Sequence, residues 1–527
     1  MTTSQPLPVF MEESEPETRF RRSSTRKSRR SVVLALDTWY VFFMVRRKSA
    51  AETDSLCRVD QLAQSLQTRT QMLLSQSNLF FSTDIDKAIR EADCIFVSVN
   101  TPTKSLGRGK GRASELSWFE SAIRRIADVA TNDKIIVEKS TVPVRTAENM
   151  REILMANCNP GVKFEILSNP EFLAEGTAIK NLLQPDRILI GSLSTQAGIR
   201  AAASLVDIYA AWVPREKIIT TSLWSSELAK LAANCLLAQR ISSINALSAI
   251  CESTGANVAE VSKACGLDSR IGPKMLSASV GFGGSCLKKD ILSLSYIAES
   301  LHLPEVAAYW RSINDINEYQ KDRFARRIVA CLHHSLEKKK IAIFGFAFKK
   351  DTGDVRESAA ISIVHDLITE GADIGIYDPQ APEESIWFEL EAACNDPDLV
   401  RSRVKIHHTP YEASDGAHAV VIVTEWDEFG NKTPAASKKA TVTPPATPRT
   451  DSHTSLSNKF AEAKEQVAKP TGNRVDWERV AGVMKKPMYV FDGRNMIEPQ
   501  NLEDLGFKVE GIGMAGRGRK IVVDLDS

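Results

Sequence analysis

The residues with the clearest chemical potential lie in one short segment, GFGGSCLKKD at 281–290. Its three glycines allow the backbone to approach a ligand closely. Cys286 follows them, and the two lysines after it favour the thiolate, which is the nucleophilic form of a thiol. Asp290 lies four residues after Cys286, so on a helix the two side chains share a face. A thiolate beside a carboxylate suits covalent catalysis on an aldehyde, whereas the alternative for a lone cysteine is a small buried hydrophobic residue.

A second polar group occurs within a long helical pattern at 225–254. Lys230 and Asn234 are one turn apart there, so they share a face, and most residues around them are apolar. Burying a polar pair is costly unless it has partners. The functional interpretation is a buried lysine that faces a substrate, and the alternative is a solvated helix edge.

Polar side chains also follow three predicted strands. The segment NPEFLAEG at 169–176 contributes Glu171 and Glu175, while STVP at 140–143 and VNTPT at 99–103 end two other strands. Ligands of open α/β sheets bind at the carboxyl ends of strands. Two carboxylates there could bind hydroxyl groups or act as a base. The alternative is a turn before a helix N-terminus, which also favours acidic residues.

A fourth segment, FGFAFKKDTGDVRES at 344–358, combines a strand, a glycine turn and a basic cluster that opens a helix. A phosphate site is one interpretation, and Asp378 closes the following strand. Spacing alone suggests a dinucleotide site, but GxGxxG is absent, so the signal is weak. The alternative is a βα turn with a solvated basic edge.

The predicted elements that position these residues follow two patterns, alternating strands and helices at both ends and helices alone in the middle. In the first half, strands are predicted at 94–99, 134–140, 164–168 and 187–192, and helices near 84–92, 117–130 and 144–156. The alternation indicates a mostly parallel sheet. A helical middle follows, with a C-cap predicted at Gly255 and more helix through 304–333. The α/β pattern then returns, with strands at 340–347, 373–379, 417–426 and 488–494 and a helix at 357–370.

These patterns predict an α/β protein in which two Rossmann-like domains are joined by a central domain of long helices, the N-terminal one being incomplete. The predicted boundaries are 1–77 for an atypical segment that is disordered or non-native, 78–222 for the first α/β domain, 223–335 for the helical domain, 336–513 for the second α/β domain with a low-complexity insertion at 431–473, and 514–527 for a tail.

Composition excludes several classes of protein. The chain has 527 residues, 43% of them hydrophobic, and a net charge of +1, so nothing indicates a nucleic-acid or acidic-membrane partner. Its nine cysteines form no CxxC pair, which argues against a disulfide framework or a metal site and for a cytoplasmic location. The apolar run at 31–45 is too short to span a bilayer; a signal sequence there would be poorly formed. A buried strand, or sequence that does not fold, is expected instead.

The motifs occur in an order that resembles one enzyme family. The chain contains, in sequence, NLFFSTDIDKAIREAD, VSVNTPTK, EKSTVPVR, SNPEFLAEGTAIK, DRILIGS, WVPREKI, SSELAKLAAN, AQRISSIN, GFGGSCLKKD, IAIFGFAFKKDTGD, GAHAVVIVTEWD and FDGR. This series is similar to that of the UDP-glucose 6-dehydrogenases. The resemblance implies that UDP-glucose, two NAD+ and water are converted to UDP-glucuronate and two NADH, through a cysteine thiohemiacetal and thioester.

The resemblance also implies that 78–222 is a truncated NAD-binding domain, 223–335 a dimerisation domain and 336–513 a UDP-sugar-binding domain.

It implies roles for individual residues as well. Cys286 would be the nucleophile, Lys230 and Asp290 would polarise the oxygen and help to activate water, Glu171 would act in acid–base steps, and Thr141 would lie near the reacting carbon. The implied substrate contacts are Glu175, Asn234, Arg270, Ser277, Ala278, Ser279, Val280, Gly281, Phe282, Gly283, Phe348, Lys349 and Arg494. The implied NAD contacts are Val99, Asn100, Thr101, Pro102, Thr103, Ser140, Thr141, Val142, Glu175, Lys289 and Arg356. Arg270 would reach a neighbouring subunit, which implies a homo-oligomer.

Three positions depart from the family pattern. Ser277 stands where a lysine is usual, so one phosphate contact changes, and Leu287 and Lys288 replace Phe-Gln after the nucleophile. The larger departure is that the first glycine of the chain is Gly107. A dinucleotide turn needs glycine for its bend, for pyrophosphate approach and for helix packing.

The first βαβ unit is therefore expected to be absent or replaced. An alternative function follows from this expectation. It is a sugar-nucleotide-binding homologue, or a regulatory subunit of an intact enzyme. A third hypothesis, within the same family, is a dehydrogenase of another sugar nucleotide such as GDP-mannose.

Overall fold

The structure is a computed structural model. It describes the backbone of residues 31–36, 40–45, 79–394, 396–431 and 474–514, and side chains within these ranges from Ser82 onward. The rest of the predicted 1–77 segment, the insertion apart from Asn431, and the tail apart from Met514 lie outside the described residues.

The N-terminal domain is built on an eight-stranded sheet in the order β3-β2-β1-β4-β5-β6-β7-β8. Its strands are β1 Ser31–Leu36, β2 Tyr40–Val45, β3 Leu79–Phe81, β4 Cys94–Val99, β5 Lys134–Glu138, β6 Phe164–Ser168, β7 Ile188–Ser192 and β8 Ile218–Ser222. Its helices are α1 Ile85–Glu91, α2 Ser117–Val129, α3 Thr146–Asn157, α4 Ala178–Leu183 and α5 Gln196–Tyr209. The strands β1, β4, β5 and β6 run parallel in this order, so three polar strand ends meet at one edge.

The first two strands form an antiparallel pair. Residues 31–36 of β1 pair with residues 40–45 of β2, and β1 also pairs in parallel with β4. Only residues 37–39 separate the two strands. A parallel neighbour needs a crossover of a dozen or more residues, whereas an antiparallel neighbour can follow after a short connection.

The central domain consists of four helices. They are α6 Leu223–Thr254, α7 Val258–Gly266, α8 Leu287–Ser300 and α9 Pro304–Cys331. The Ser222 side chain caps the start of α6 by accepting from the Ser225 N–H, and Gly255 ends the helix with φ of 83°. The C-cap predicted at Gly255 is therefore present. Of the described helices, none is long and apolar enough to cross a membrane.

The C-terminal domain has a six-stranded sheet, all parallel, in the order β11-β10-β9-β12-β13-β14. Its strands are β9 Lys340–Phe344, β10 Asp373–Tyr377, β11 Val404–Ile406, β12 Ala419–Ile422, β13 Met488–Asp492 and β14 Phe507–Gly511. Its helices are α10 Ala359–Thr369, α11 Glu383–Ala393, α12 Pro397–Arg403, α13 Pro410–Ser414, α14 Trp477–Val483 and α15 Pro499–Glu503. The predicted Rossmann-like architecture on both sides of a helical domain is confirmed.

The core of the C-terminal domain continues into the central helices. Its apolar cluster joins sheet residues such as Ile341 and Val421 to Ile244 of α6 and to Phe324 and Ile328 of α9. Burial of apolar surface is the main stabilising term in folding. The cluster therefore fixes the C-terminal sheet on the two long helices that also flank the candidate site.

Candidate active site

Cys286 lies at the junction of the glycine-rich segment and helix α8. It is exposed, and its Sγ atom is 3.8 Å from Ser285 Oγ. The Asp290 N–H donates to the Cys286 carbonyl at 3.0 Å, so the two residues are one helical turn apart. The N-terminal end of a helix stabilises negative charge. A thiol and a carboxyl group thus stand one helical turn apart at the start of α8.

Asp290 of α8 is buried and contacts Asn234 of α6. Its side chain is almost fully buried, and Oδ2 accepts from Asn234 Nδ2 at 2.6 Å. The other oxygen, Oδ1, has no hydrogen-bond partner among the described residues. Burial raises the pKa of Asp290, while the charges of Lys289 and Lys230 and the Asn234 hydrogen bond oppose the shift. The carboxyl can therefore exchange a proton more readily than an exposed aspartate at neutral pH.

Lys230 of α6 forms an ion pair with Glu171, which lies in the loop after β6. Lys230 Nζ lies 3.3 Å from Glu171 Oε1, and the lysine side chain is 6% exposed against 31% for the glutamate. The solvated-edge alternative for Lys230 is therefore wrong, because the ammonium is buried and paired. Glu171 Oε2 also accepts from the Leu173 N–H, which fixes the carboxylate toward the lysine.

Lys139 is a charged neighbour of this pair that the sequence did not indicate. Its Nζ donates to Asn169 Oδ1 at 3.2 Å and lies 3.4 Å from the Tyr209 hydroxyl. Burial lowers the pKa of Lys139 to about 8; the charge of Glu171 opposes the shift and that of Lys230 adds to it. The lysine in KIIVEKS looks like any strand-end lysine, so only the tertiary fold shows its position.

Hydrogen bonds hold the two loops that follow β4 and β5 together. Ser140 Oγ accepts from the Val99 N–H at 2.8 Å, and Thr101 Oγ1 donates to the Thr141 carbonyl at 2.8 Å. Lys289 Nζ of α8 donates to the Thr101 carbonyl at 3.1 Å. Asn100, Pro102, Thr103 and Val142 lie in the same loops. The loops that carry the expected cofactor contacts thus meet α8 at Lys289, three residues after Cys286.

The segment 277–283 is held from α9 through buried amides. The Phe282 N–H donates to Asn317 Oδ1 at 2.9 Å, and Asn317 Nδ2 donates back to the Phe282 carbonyl at 3.0 Å. Gln320 Nε2 donates to the Ser279 carbonyl at 2.7 Å. Sequence reasoning missed both α9 residues, although their spacing on one buried helix face was a usable signal. Ser277 itself is exposed, and Ala278 and Val280 are buried.

Arg494 connects this segment to the C-terminal domain. Its guanidinium donates to the Val423 carbonyl, to Gly281 at 3.4 Å and to Phe348 at 3.3 Å. A Cβ atom on Gly284 would lie 2.8 Å from the Phe348 ring, and φ there is 85°. The glycine is therefore needed for the close approach, as its position in the sequence suggested.

Glu175 faces the C-terminal domain across the site. Its carbonyl accepts from Lys349 Nζ at 2.8 Å, and its Oε2 accepts from Thr352 Oγ1 at 3.2 Å. Arg356 lies 3.6 Å from Glu175 Oε1 and 2.7 Å from Asp354 Oδ2. Burial and the Asp354 carboxylate raise the pKa of Glu175, whereas Arg356 opposes the shift. Residues from both Rossmann-like domains thus converge at this point.

Arg270 is the predicted site residue that stands apart. It is 87% exposed, and its guanidinium bonds only Asp268 among the described residues. Its place in a neighbouring subunit's site remains a prediction.

Two Rossmann-like domains that converge on a cysteine, a lysine and three carboxyl groups define a dehydrogenase of a phosphorylated, nucleotide-bearing substrate. The chain belongs to the UDP-glucose/GDP-mannose dehydrogenase family. Models of the NAD binding domain, the central domain and the UDP binding domain of that family match residues 59–213, 224–319 and 342–449.

Named relatives and solved structures agree with this placement. UDP-glucose 6-dehydrogenase of Drosophila melanogaster is 52% identical over 438 residues, 83% of each chain. The enzyme of Pongo abelii is 50% identical over 447 residues, 84% of this chain and 82% of its own. A UDP-glucose dehydrogenase from Pyrobaculum islandicum superposes with a TM-score of 0.64 at 27% identity, covering 86% of this chain and 87% of that one.

From spacing alone, the segment 344–358 suggested a dinucleotide site. The match of residues 342–449 to a UDP binding domain corrects this interpretation. The N–H groups of Phe346 and Ala347 already donate to Asp378 Oδ2, at 2.6 and 2.9 Å. These turn amides are therefore occupied by a side chain of the same domain.

The described residues fit NAD at its reacting end. Thr101, Ser140 and Thr141 stand at the carboxyl ends of β4 and β5, where dinucleotides bind in such sheets, and Lys289 braces the loop. At the other end, β1 is followed by antiparallel β2 rather than by a helix whose N-terminus could receive the pyrophosphate. The prediction that the first βαβ unit is replaced stays a prediction, because 1–30 and 46–78 lie outside the described residues.

Proposed function

We propose that this chain oxidises UDP-glucose to UDP-glucuronate with two NAD+, through a covalent intermediate on Cys286. The single observation that carries the proposal is the position of Cys286 at the start of α8, one turn from buried Asp290 and beside the Asn234 contact. Family membership and the relatives' activity supply the substrate and cofactor classes.

The chain's own groups perform the steps around the two oxidations. Bound NAD+ accepts a hydride in each of them. Glu171 and Lys230, which form an ion pair at 3.3 Å, take up the proton of the substrate hydroxyl and polarise its oxygen. Thr141 would lie near the reacting carbon, as the family resemblance implies. The Cys286 thiolate then adds to the aldehyde carbon, and the new C–S bond gives a thiohemiacetal.

The second oxidation leaves a thioester, which water hydrolyses. Asp290 accepts a proton from the attacking water, and its free Oδ1 is available for that contact. Lys230 and Asn234 stabilise the negative charge that develops on the carbonyl oxygen. The C–S bond breaks, the carboxylate product forms, and Cys286 regains its thiol.

Both Rossmann-like domains would hold the sugar nucleotide. Phe348, Lys349 and Arg494 would contact it from the C-terminal domain, and Glu175 with the 277–283 segment from the other side. Arg356, Glu175 and Lys289 would add to the cofactor contacts.

We also propose a cytoplasmic homo-oligomer, with Arg270 completing a neighbouring site. Large apolar side chains are exposed on α6, including Trp224, Leu236 and Ile250. The scattered cysteines, which form no CxxC pair, suit a reducing compartment. Light scattering on the purified chain measures the assembly.

The test is NAD+ reduction by the full-length chain with UDP-glucose, beside Cys286→Ala and the matched control Cys265→Ala, an exposed cysteine on α7. Turnover in the wild type and in Cys265→Ala, lost in Cys286→Ala with UDP-glucose still bound by calorimetry, supports the proposal. Faster turnover of GDP-mannose than of UDP-glucose would mean that GDP-mannose, and not UDP-glucose, is the substrate.

The absence of glycine from residues 1–106 leaves a second function to be tested, which the similarity to UDP-glucose 6-dehydrogenases does not favour. It is a sugar-nucleotide-binding homologue or a regulatory subunit without turnover of its own. Binding of UDP-glucose without NAD+ reduction in the same experiment would select it.

A further inference from the structure

Two buried glutamates that the proposed reaction does not use meet between the N-terminal sheet and α6. Glu138 ends β5 and is 1% exposed, and Glu227 of α6 is 2% exposed. Their carboxyl groups are within hydrogen-bonding reach of each other. Glu138 Oε2 has no partner within the described part of the chain. A buried acid pair needs a specific reason to persist, because burying charge is costly.

Glu227 caps a helix to which it does not belong. Its Oε2 accepts from the Arg145 N–H at 2.7 Å, and its Oε1 accepts from the Ala147 N–H at 2.8 Å. The N-cap residue of α3, Arg145, makes no side-chain cap and has φ of 78°. Glu227 thus satisfies the free donors at the start of α3, where the helix dipole favours an anion.

These contacts fix both ends of one loop, residues 139–145. Glu138 precedes the loop and lies within hydrogen-bonding reach of Glu227. The N–H groups of Arg145 and Ala147 close the far end of the loop on the same Glu227 carboxylate. The loop contains Ser140 and Thr141, which lie at the candidate cofactor site. On α6, Glu227 lies three residues before Lys230, so the same turn of helix supports the loop and the lysine.

The two carboxyl groups of Glu138 and Glu227 share one proton, so that one is neutral and the other is ionised. Two carboxylates this close cannot both ionise readily in the interior. Burial raises the pKa of Glu227 too, but its two backbone N–H bonds, which favour the anionic form, oppose that shift. No such bond to the Glu138 carboxyl occurs among the described residues. Burial, followed by the charge of Glu227, raises the pKa of Glu138 well above its ordinary value. The other charged groups that face the pair are Glu148 and Arg145, whose guanidinium lies 3.1 Å from Glu148.

We propose that protonated Glu138 and anionic Glu227 form a clamp that positions loop 139–145 on α6, and so set kcat and the KM for NAD+. This rests on the function proposed above. The clamp binds no reacting atom, so both glutamates are positioning residues.

The pair makes the loop sensitive to alkaline pH. An acid with a raised folded pKa stabilises the fold fully below its unfolded pKa, and this stability is lost as pH rises through the folded pKa. When Glu138 ionises, two negative charges face each other across the clamp. This repulsion loosens the end of the loop that Glu227 holds at Arg145 and Ala147, and kcat falls on the alkaline side before the protein unfolds.

The test compares Glu138→Gln, Glu138→Ala and Glu227→Gln with Glu152→Gln, an exposed control on α3. In Glu138→Gln the introduced amide still donates to Glu227 but cannot ionise, so neutral-pH turnover is kept and the alkaline fall of kcat is lost. Glu138→Ala removes the bond, and the KM for NAD+ rises. Glu227→Gln removes the anionic cap, so hydrogen exchange of the Arg145 and Ala147 amides accelerates about tenfold. UDP-glucose affinity stays unchanged in all four.

Several outcomes overturn the clamp. One is wild-type amide exchange at Arg145 and Ala147 in Glu227→Gln, and another is an unchanged alkaline fall of kcat in Glu138→Gln. If the wild type itself does not reduce NAD+, the proposed function fails. Amide exchange and the pH dependence of the melting temperature then still decide the clamp, because neither needs turnover.

Discussion

Lys139 illustrates how much of the site's electrostatics depends on one side chain. Below about pH 8 its ammonium is charged, since burial lowers its pKa to about 8. The charge then competes with Lys230 for Glu171. The sequence showed Lys230 and Glu171 as candidates, because each lies in a distinctive motif. It could not show Lys139, whose role depends on contacts with Asn169 and Tyr209 formed only in the fold.

Replacing Lys139 by Gln should flatten the pH dependence of kcat around pH 8. It should also raise the melting temperature at pH 7. A lysine with a folded pKa near 8 and an ordinary value of 10.5 destabilises the fold fully below pH 8 and not at all above 10.5. The gain should therefore shrink over that window. Lys163→Gln, an exposed control, should change neither. An unaltered kcat profile in Lys139→Gln would contradict the assignment.

Asn317 tests the support of the 277–283 segment. It is 1% exposed and makes two hydrogen bonds with the backbone of Phe282. Asn317→Leu leaves a buried N–H and a carbonyl without partners, at a cost of roughly 1–3 kcal/mol each. UDP-glucose should bind about tenfold or more weakly by calorimetry, at unchanged kcat under saturation. Asn314→Leu on the same helix is the control, and an equal loss there would assign the effect to α9 rather than to this contact.

At the scale of elements, the helices and strands that hydrophobic periodicity indicates were predicted correctly from the sequence. The strand at Cys94–Val99, the helix at Ser117–Val129 and the end of α6 at Gly255 agree with the structure to within a few residues. β12 ends at Ile422, shorter than its apolar run, because the chain turns there and Thr424 Oγ1 bonds the Ala347 carbonyl. The antiparallel pairing of β1 and β2 was not predicted, since an apolar run by itself fixes neither strand direction nor register.

The β1–β2 pair leads to a prediction about the cofactor. Without a helix directly after β1, the chain lacks one source of backbone donors to the pyrophosphate. A charge-assisted hydrogen bond contributes about 1.5–3 kcal/mol, so the KM for NAD+ should exceed that of the Drosophila relative by at least about tenfold. The KM for UDP-glucose should be similar in the two proteins. Equal KM values for NAD+ in side-by-side assays would mean that other residues supply the donors.

At the scale of the whole molecule, the domains are tied together at a point remote from the chemistry. Glu252 near the end of α6 forms ion pairs with Arg323 and Arg327 of α9. Its Oε1 also accepts from the Gly513 N–H at 2.7 Å, just after the last strand of the C-terminal sheet. The central helices and the C-terminal domain, which contribute different contacts to the candidate site, thus share one buried carboxylate.

Glu252→Gln should loosen this connection. Its side chain is 8% exposed, and removing one partner of a buried ion pair typically destabilises by roughly 3–5 kcal/mol because the other charge is left behind. The free energy of unfolding in urea should fall by about that amount, and proteolysis should separate the C-terminal domain earlier. Glu260→Gln, exposed on α7, should behave as the wild type.

Since Arg494 and Lys349 reach the site from the C-terminal domain, the KM for UDP-glucose should rise in Glu252→Gln even under conditions where the protein remains folded. A loss of stability with an unchanged KM would mean that the contacts across the site align the two domains without help from this ion cluster.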